Sequence, residues 1–240
     1  MAEDRQRVDE FLDLYKQLED LLEDKFRNAR RRYSSVVLEY IRDEESLPVR
    51  DKLEVCREIR NLLTHSADLG GQPIVEPSQP VVDGLREALD ILRRPALALD
   101  RAASGSRMMT ATLDRKVLRL MEVMEKNGFS HIPVLQEGSL YGVFSAGTVF
   151  RYQLQHEGRS LNKNTTLGDL GSVLELSTAG EHYAFLPRNA TVQQAKVLFQ
   201  RVQGRNRRVS VIFLTEHGKR GERLLGMLTP WDVLGEEAAP

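Results

Sequence analysis

Apolar residues in the first hundred positions recur three and four apart. Phe11, Leu14, Tyr15, Leu18, Leu21, Leu22 and Phe26 trace one helical face, which predicts a long amphipathic helix over about residues 4–30. Further helices are expected from about Ser34 to Arg42, Val49 to Ala67 and Val81 to Leu92, with Gly70, Gly71, Pro73, Pro77 and Pro80 forming a turn-rich loop before the last. Four helices of this length make a small bundle, expected over residues 1–97. On a helical wheel, Val55, Cys56, Ile59, Leu62 and Leu63 of the third helix are expected to face its core, and Arg57, Arg60, Asn61 and His65 to project away. Residues 98–107, with the small polar run RAASGSR, read as a linker.

After residue 108 the period changes. Strand-like runs occur at Ser130–Leu135, Ser139–Phe144, Arg208–Leu214 and Leu224–Leu228, each beside a helical stretch. They belong to a weak internal repeat. Val117, Leu120, Met121 and Met124 recur 78 positions later as Ala195, Leu198, Phe199 and Val202, all suited to a buried stripe. The same shift lays His131–Val134 over Val209–Ile212. Gly142-Val143-Phe144-Ser145 then corresponds to Gly226-Met227-Leu228-Thr229, the second copy having a longer, polar hairpin, HGKRGER. Each copy reads as helix, strand, strand, helix after an extended lead-in. The expected repeats are about 108–160 and 165–235, within a module of residues 108–240. The fold class is α+β: an all-α four-helix bundle followed by a tandem α/β repeat module.

Charge sharpens the division. Residues 1–100 hold 16 Lys and Arg against 22 Asp and Glu, a net of −6, and the remainder carries +5, so the whole chain is near neutral at −1. Such a balance gives no drive for bulk adsorption to nucleic acid or membranes. The single cysteine, Cys56, excludes an intramolecular disulfide and a cysteine-based zinc site, and points to a reducing cytoplasm. No apolar run approaches the ~18 residues of a membrane helix, and MAEDRQRVDE lacks the hydrophobic core of a signal peptide.

The second copy closes on Gly226-Met227-Leu228-Thr229-Pro230-Trp231-Asp232. Here a strand ends, Thr229 takes the N-cap of a helix, Pro230 its first position and Asp232 its third. Two readings are physical. The first is a well-capped helix start, worth roughly 1 kcal/mol. The second is a nucleotide site, in which free N–H groups and the Thr229 hydroxyl meet phosphate while an ionised Asp232 accepts both hydroxyls of a ribose. The segment resembles the Gly-h-h-Thr/Ser-x-x-Asp signature of CBS (cystathionine β-synthase type) repeats. Thr166-Leu167-Gly168-Asp169-Leu170 is similar to the link into a second such repeat. The resemblance implies a tandem CBS pair that binds an adenosine nucleotide (AMP, ADP, ATP or a cyclic dinucleotide) as a regulatory ligand. The first copy departs from the pattern, with Ser145 keeping the hydroxyl and Thr148 standing where the carboxylate belongs. One competent pocket is therefore expected, near Thr229 and Asp232, with Ser145 as the first copy's counterpart and Arg207 or Arg208 completing the phosphate side. The arginine-rich turn Arg201–Arg208 also reads as a solvated basic surface.

The third helix carries Arg60-Asn61-Leu62-Leu63-Thr64-His65, which resembles the Arg-polar-x(3)-His motif of the HEPN superfamily. That resemblance implies an all-helical, dimeric, metal-independent ribonuclease acting on single-stranded RNA. In it His65 would serve as general acid or base, Arg60 would hold the scissile phosphate, and Asn61 would orient His65 or bind phosphate. No histidine and carboxylate cluster with metal-ligand spacing accompanies them, and no metal is expected. The run Arg27, Arg30, Arg31, Arg32 could track an RNA backbone or merely complement a helix end. Two whole-chain readings follow. One is a ribonuclease governed by a nucleotide on the CBS pair. The other is a non-catalytic nucleotide-binding regulator, a homodimer whose helical part dimerises or recruits a partner.

Overall fold

A computed structural model describes residues 2–28, 32–65, 74–156, 160–178, 180–201 and 208–234. The chain divides into two compact units, Met1–Ala96 and Leu97–Pro240.

In the first unit four helices share one core: α1 (Ala2–Lys25), α2 (Val36–Ile41), α3 (Arg50–His65) and α4 (Gln79–Arg93). The stripe Phe11, Tyr15, Leu18, Leu22 of α1 is buried, as are Val82, Leu85 and Leu89 of α4, each set at helical spacing. The helix starts are chemically marked. Ser35 caps α2 through its hydroxyl, 3.3 Å from the Leu38 N–H, and Pro80 lies in the first turn of α4, where its missing N–H costs nothing.

The wheel expected for α3 is corrected by the packing. Leu53 and Cys56 are buried and Ile59 and Leu63 partly so, but Val55 and Leu62 are 49% and 44% exposed. The inward seam is set by Leu53, which is fully buried, and is rotated toward the side that carries Arg60. Burial pushes the Cys56 thiol up to about 11, which leaves it an inert, uncharged packing group.

The second unit begins earlier than the linker reading allowed. Residues 98–107 are structured: α5 (Ala98–Arg101) leads into β1 (Ala103–Ser104), which pairs antiparallel with β7 (Gly226–Leu228). Ala98 and Ala102 are fully buried. Small side chains, which suggested a flexible tether, here permit close approach of backbone to core.

The repeat is visible in the topology. β2 (Ala111–Thr112), α6 (Val117–Asn127), β3 (His131–Gln136), β4 (Ser139–Ser145) and α7 (Ala146–Gln155) form the first copy. β5 (His182–Pro187), α8 (Val192–Gln200), β6 (Val209–Thr215), β7 and α9 (Pro230–Leu234) form the second. In each copy the lead-in strand runs parallel to the next strand, which pairs antiparallel with the last. The sheet orders are β2-β3-β4 and β1-β7-β6-β5. Glu137 and Gly138, both at positive φ, make the tight turn between β3 and β4 that suits the twist of a two-residue hairpin. Leu140, Val143, Val211 and Phe213 form a core shared by the two copies. Of the predicted stripe, Val117, Leu120, Ala195 and Phe199 are buried, whereas Met121 is 38% exposed and Val202 lies outside the described residues. Thr166–Leu170 belongs to the first copy, where Leu167 and Leu170 pack with Val117 and Ile132. The second copy's lead-in is β5.

Candidate functional site

Two helix starts occupy equivalent places in the two copies, each at the end of a strand that pairs antiparallel with its neighbour. At the second, the Thr229 N–H and hydroxyl both donate to Oδ2 of Asp232, at 2.6 and 2.8 Å. The carboxylate thus caps its own helix through one oxygen, and among the described residues Oδ1 has no hydrogen bond. Trp231, between the two members of the capping pair in the first turn of the helix, is 82% exposed. Arg208 is exposed and makes no hydrogen bond to Thr229 or Asp232 among the described residues, and Arg207 lies outside them.

At the first, Ser145 caps α7 in a box with Thr148. The buried Thr148 hydroxyl accepts from the Ser145 N–H at 3.2 Å and donates to the Val143 carbonyl at 3.0 Å, and unlike a carboxylate it has no second oxygen to offer. The Ser145 hydroxyl instead donates to Oε1 of Glu181 at 2.7 Å. Oε2 of the same carboxylate meets Nε2 of His131 at 2.9 Å and accepts from the Tyr183 hydroxyl at 3.2 Å.

Glu181, His131 and Tyr183 were not singled out in the sequence. Glu181 lies 36 positions from Ser145 and 50 from His131, and no local pattern connects them. The one signal was negative: aligning the copies leaves an acid missing at Thr148. Burial raises the Glu181 carboxyl, but hydrogen bonds from His131 and Ser145, the His131 charge and the Tyr183 hydroxyl outweigh it and hold the group below its usual range. Its folded value is therefore below the unfolded one of about 4.3. The stabilisation is complete above that pH and is lost as pH falls through the folded value. Urea unfolding of the wild type and of Glu181→Gln is expected to show their stability gap closing as pH drops from 7 toward 3; a gap that does not change with pH refutes this.

In the helical unit, Nη2 of Arg60 is 3.4 Å from Oε1 of Glu19, and its guanidinium lies 5.7 Å from the centre of the Tyr15 ring. It is therefore held against α1 rather than projecting away. Asn61 is half-buried, and the side chain of His65 lies outside the described residues. Arg57 pairs with Glu58. Of the basic run, Arg27 pairs with Asp24, and Arg30 and Arg31 lie outside the described residues. Among the described residues no group of His, Cys, Asp and Glu could hold a metal ion, and no helix is long and apolar enough to cross a membrane.

The first copy is a CBS domain: residues 105–155 match the family model of that description. No curated protein matches the chain. Solved structures similar to it include CBSX2 in complex with AMP (14% identity, 59% of this chain and 96% of that one, TM-score 0.43). A second is the CBS domain of a bacterial CNNM/CorC family Mg2+ transporter in complex with ATP (16%, 63% and 92%, TM-score 0.41). A third is the CBS domain pair of protein MJ0100 with 5′-methylthioadenosine and S-adenosyl-L-methionine (16%, 60% and 97%, TM-score 0.41).

Proposed function

We propose that the chain is a regulatory protein of the cytoplasm whose repeat module binds an adenosine nucleotide through Thr229 and Asp232. The observation that carries this is the open Oδ1 of Asp232 beside a carboxylate oxygen already fixed by Thr229. With Oδ2 held by Thr229, the unused oxygen supports the reading as the acceptor that a ribose diol needs. Capping and binding are thus compatible rather than alternative roles. The exposed Trp231 indole offers a flat apolar surface to a purine. A diol acceptor favours AMP, ADP and ATP over a 3′–5′ cyclic dinucleotide, whose 3′ oxygens are esterified. Calorimetric titration with AMP, ADP, ATP and cyclic di-AMP tests the reading, and failure of all four to bind removes it. Regulation further requires that the nucleotide distinguish two conformations of the protein.

The same module is proposed to form a homodimer. Phe150 and Leu154, one turn apart on α7, are 65% and 63% exposed. Beside them a cavity of about 470 Å³ is lined mainly by Met121, Met124, Phe129, Phe144 and Val149, with Ser145 at its polar part. An exposed apolar pair near a largely apolar recess is the kind of surface that a two-fold axis pairs with itself. Phe150→Glu with Leu154→Glu is expected to turn a dimer into a monomer in sedimentation equilibrium; an unchanged mass overturns this.

The helical unit is assigned to association or partner recruitment rather than to catalysis, because Arg60 is engaged by Glu19 and Tyr15. RNA cleavage by the purified chain that is lost in both Arg60→Ala and His65→Ala would reverse that assignment.

A further inference from the structure

The two copies meet the same need for an acceptor in different ways. In the second, Asp232 supplies it locally. In the first, Thr148 is used up in capping, and the acceptor beside Ser145 arrives from Glu181, on the segment leading into β5. Three donors converge on that one carboxylate: the hydroxyl of Ser145, a residue only 3% exposed, the His131 imidazole and the Tyr183 hydroxyl. The backbone is adapted to it. A Cβ on Gly147 would stand 2.5 Å from Oε1 of Glu181, so any other residue there meets the carboxylate. Arg151, one turn further along α7, holds the same segment, donating to the carbonyls of Thr178 at 3.0 Å and Val173 at 3.1 Å.

We propose that Glu181 is an internal occupant of the first repeat's polar site. Its carboxylate fills the place beside Ser145 that the phosphate of a nucleotide would take. The wild-type module therefore holds one nucleotide per chain, at Asp232, and the first site opens only when Glu181 is displaced. This rests on the nucleotide reading above and adds which of the two sites is open and what shuts the other. The group that displaces Glu181 must itself be an anion, phosphate or carboxylate. Ser145 and Tyr183 direct hydrogens at one spot, and a neutral group would leave these part-buried donors poorly satisfied.

The test is calorimetric titration of AMP into the full chain as wild type, Glu181→Ala, Asp232→Asn and the double variant. Expected stoichiometries are one, two, none and one, and adding Ser145→Ala to Glu181→Ala returns the count to one. One AMP bound by wild type and by Glu181→Ala alike overturns the inference while leaving the nucleotide reading intact. No AMP bound by any variant overturns both. A second readout guards against an unstable variant. Sodium acetate, as a free carboxylate, is expected to raise the melting temperature of Glu181→Ala more than that of the wild type, and not that of Ser145→Ala/Glu181→Ala. An equal effect of acetate on the wild type and Glu181→Ala overturns the proposal.

Discussion

Asp232→Asn is expected to lower the affinity for AMP at least ~100-fold while leaving the fold intact. A hydrogen bond to a charged acceptor contributes about 1.5–3 kcal/mol. Two ribose hydroxyls sharing one carboxylate therefore account for about 3 kcal/mol at the low end, which is a factor of ~100 at ~1.4 kcal/mol per decade. The amide keeps an oxygen that accepts from the Thr229 N–H and hydroxyl. Helix capping thus suffers only the loss of a negative charge at a helix start, about 0.3–1 kcal/mol. The ligand can be cut as well as the protein. Wild type is expected to bind 2′-deoxy-AMP roughly tenfold more weakly than AMP, one charged hydrogen bond of the two being gone. Asp232→Asn is expected to distinguish the two ligands hardly at all, because the group that senses the missing hydroxyl has been removed. Full discrimination retained in Asp232→Asn would show that the ribose is read elsewhere. Unchanged AMP affinity would take the site away from α9 altogether.

Local pattern carried a good deal of this architecture. The buried stripe of α1 and the shared grammar of the two copies both stand in the sequence, because each depends on residues within a turn or two of one another. Misreadings came where a distant partner decides. On a wheel, the apolar residues of α3 spread over one broad arc, from Leu62 and Val55 through Ile59, Leu63 and Cys56 to Leu53, and nothing within the helix says which end of it packs. Tyr15 and Glu19 of α1 settle the matter by taking Arg60. The run from Ala98 to Ser104 resembles a tether in composition, yet it is fixed by Ala190, whose carbonyl accepts from the Ala98 N–H at 2.8 Å, and by the register of β1 on β7.

The candidate site divides along the same line. Thr229 and Asp232 are three residues apart, so their mutual hydrogen bonds follow from helix geometry and the motif is legible. Glu181 reaches Ser145 and His131 only through the pairing of two copies, and no spacing rule predicts that. What the sequence shows at the first copy is Thr148 in place of an acid, and what the fold shows is the distant carboxylate to which Ser145 donates.

A still larger effect on stability is expected from a single methyl group at Gly142. This glycine lies in β4 and bridges to Glu175 on the inter-repeat segment. A Cβ built there would stand 2.1 Å from the carbonyl oxygen of Leu174 and 2.8 Å from its carbon. The neighbour is backbone, and it is already committed. The Leu174 carbonyl accepts from the Val143 N–H at 3.3 Å, and the Leu174 side chain is buried in the first copy's core beside Leu167 and Val173. Relief therefore requires the segment to move off β4, breaking that hydrogen bond and opening the core behind it. Overpacking by a methylene costs typically 1–3 kcal/mol when side chains can adjust. With backbone on the receiving side, Gly142→Ala is expected to cost about 3 kcal/mol or more, lowering the melting temperature by roughly 6–12 °C for a domain of this size. Gly168→Ala is the matched control. Its Cβ would meet its nearest neighbour, the Leu113 carbonyl oxygen, at 3.5 Å, an ordinary contact. That substitution is expected to change the melting temperature little or to raise it slightly through the stiffer unfolded chain. Thermal unfolding followed by circular dichroism compares the two directly. Gly142→Ala melting with the wild type would mean that the segment from Leu174 to Glu181 does not press against β4, and the carboxylate it delivers to Ser145 would lose its anchor.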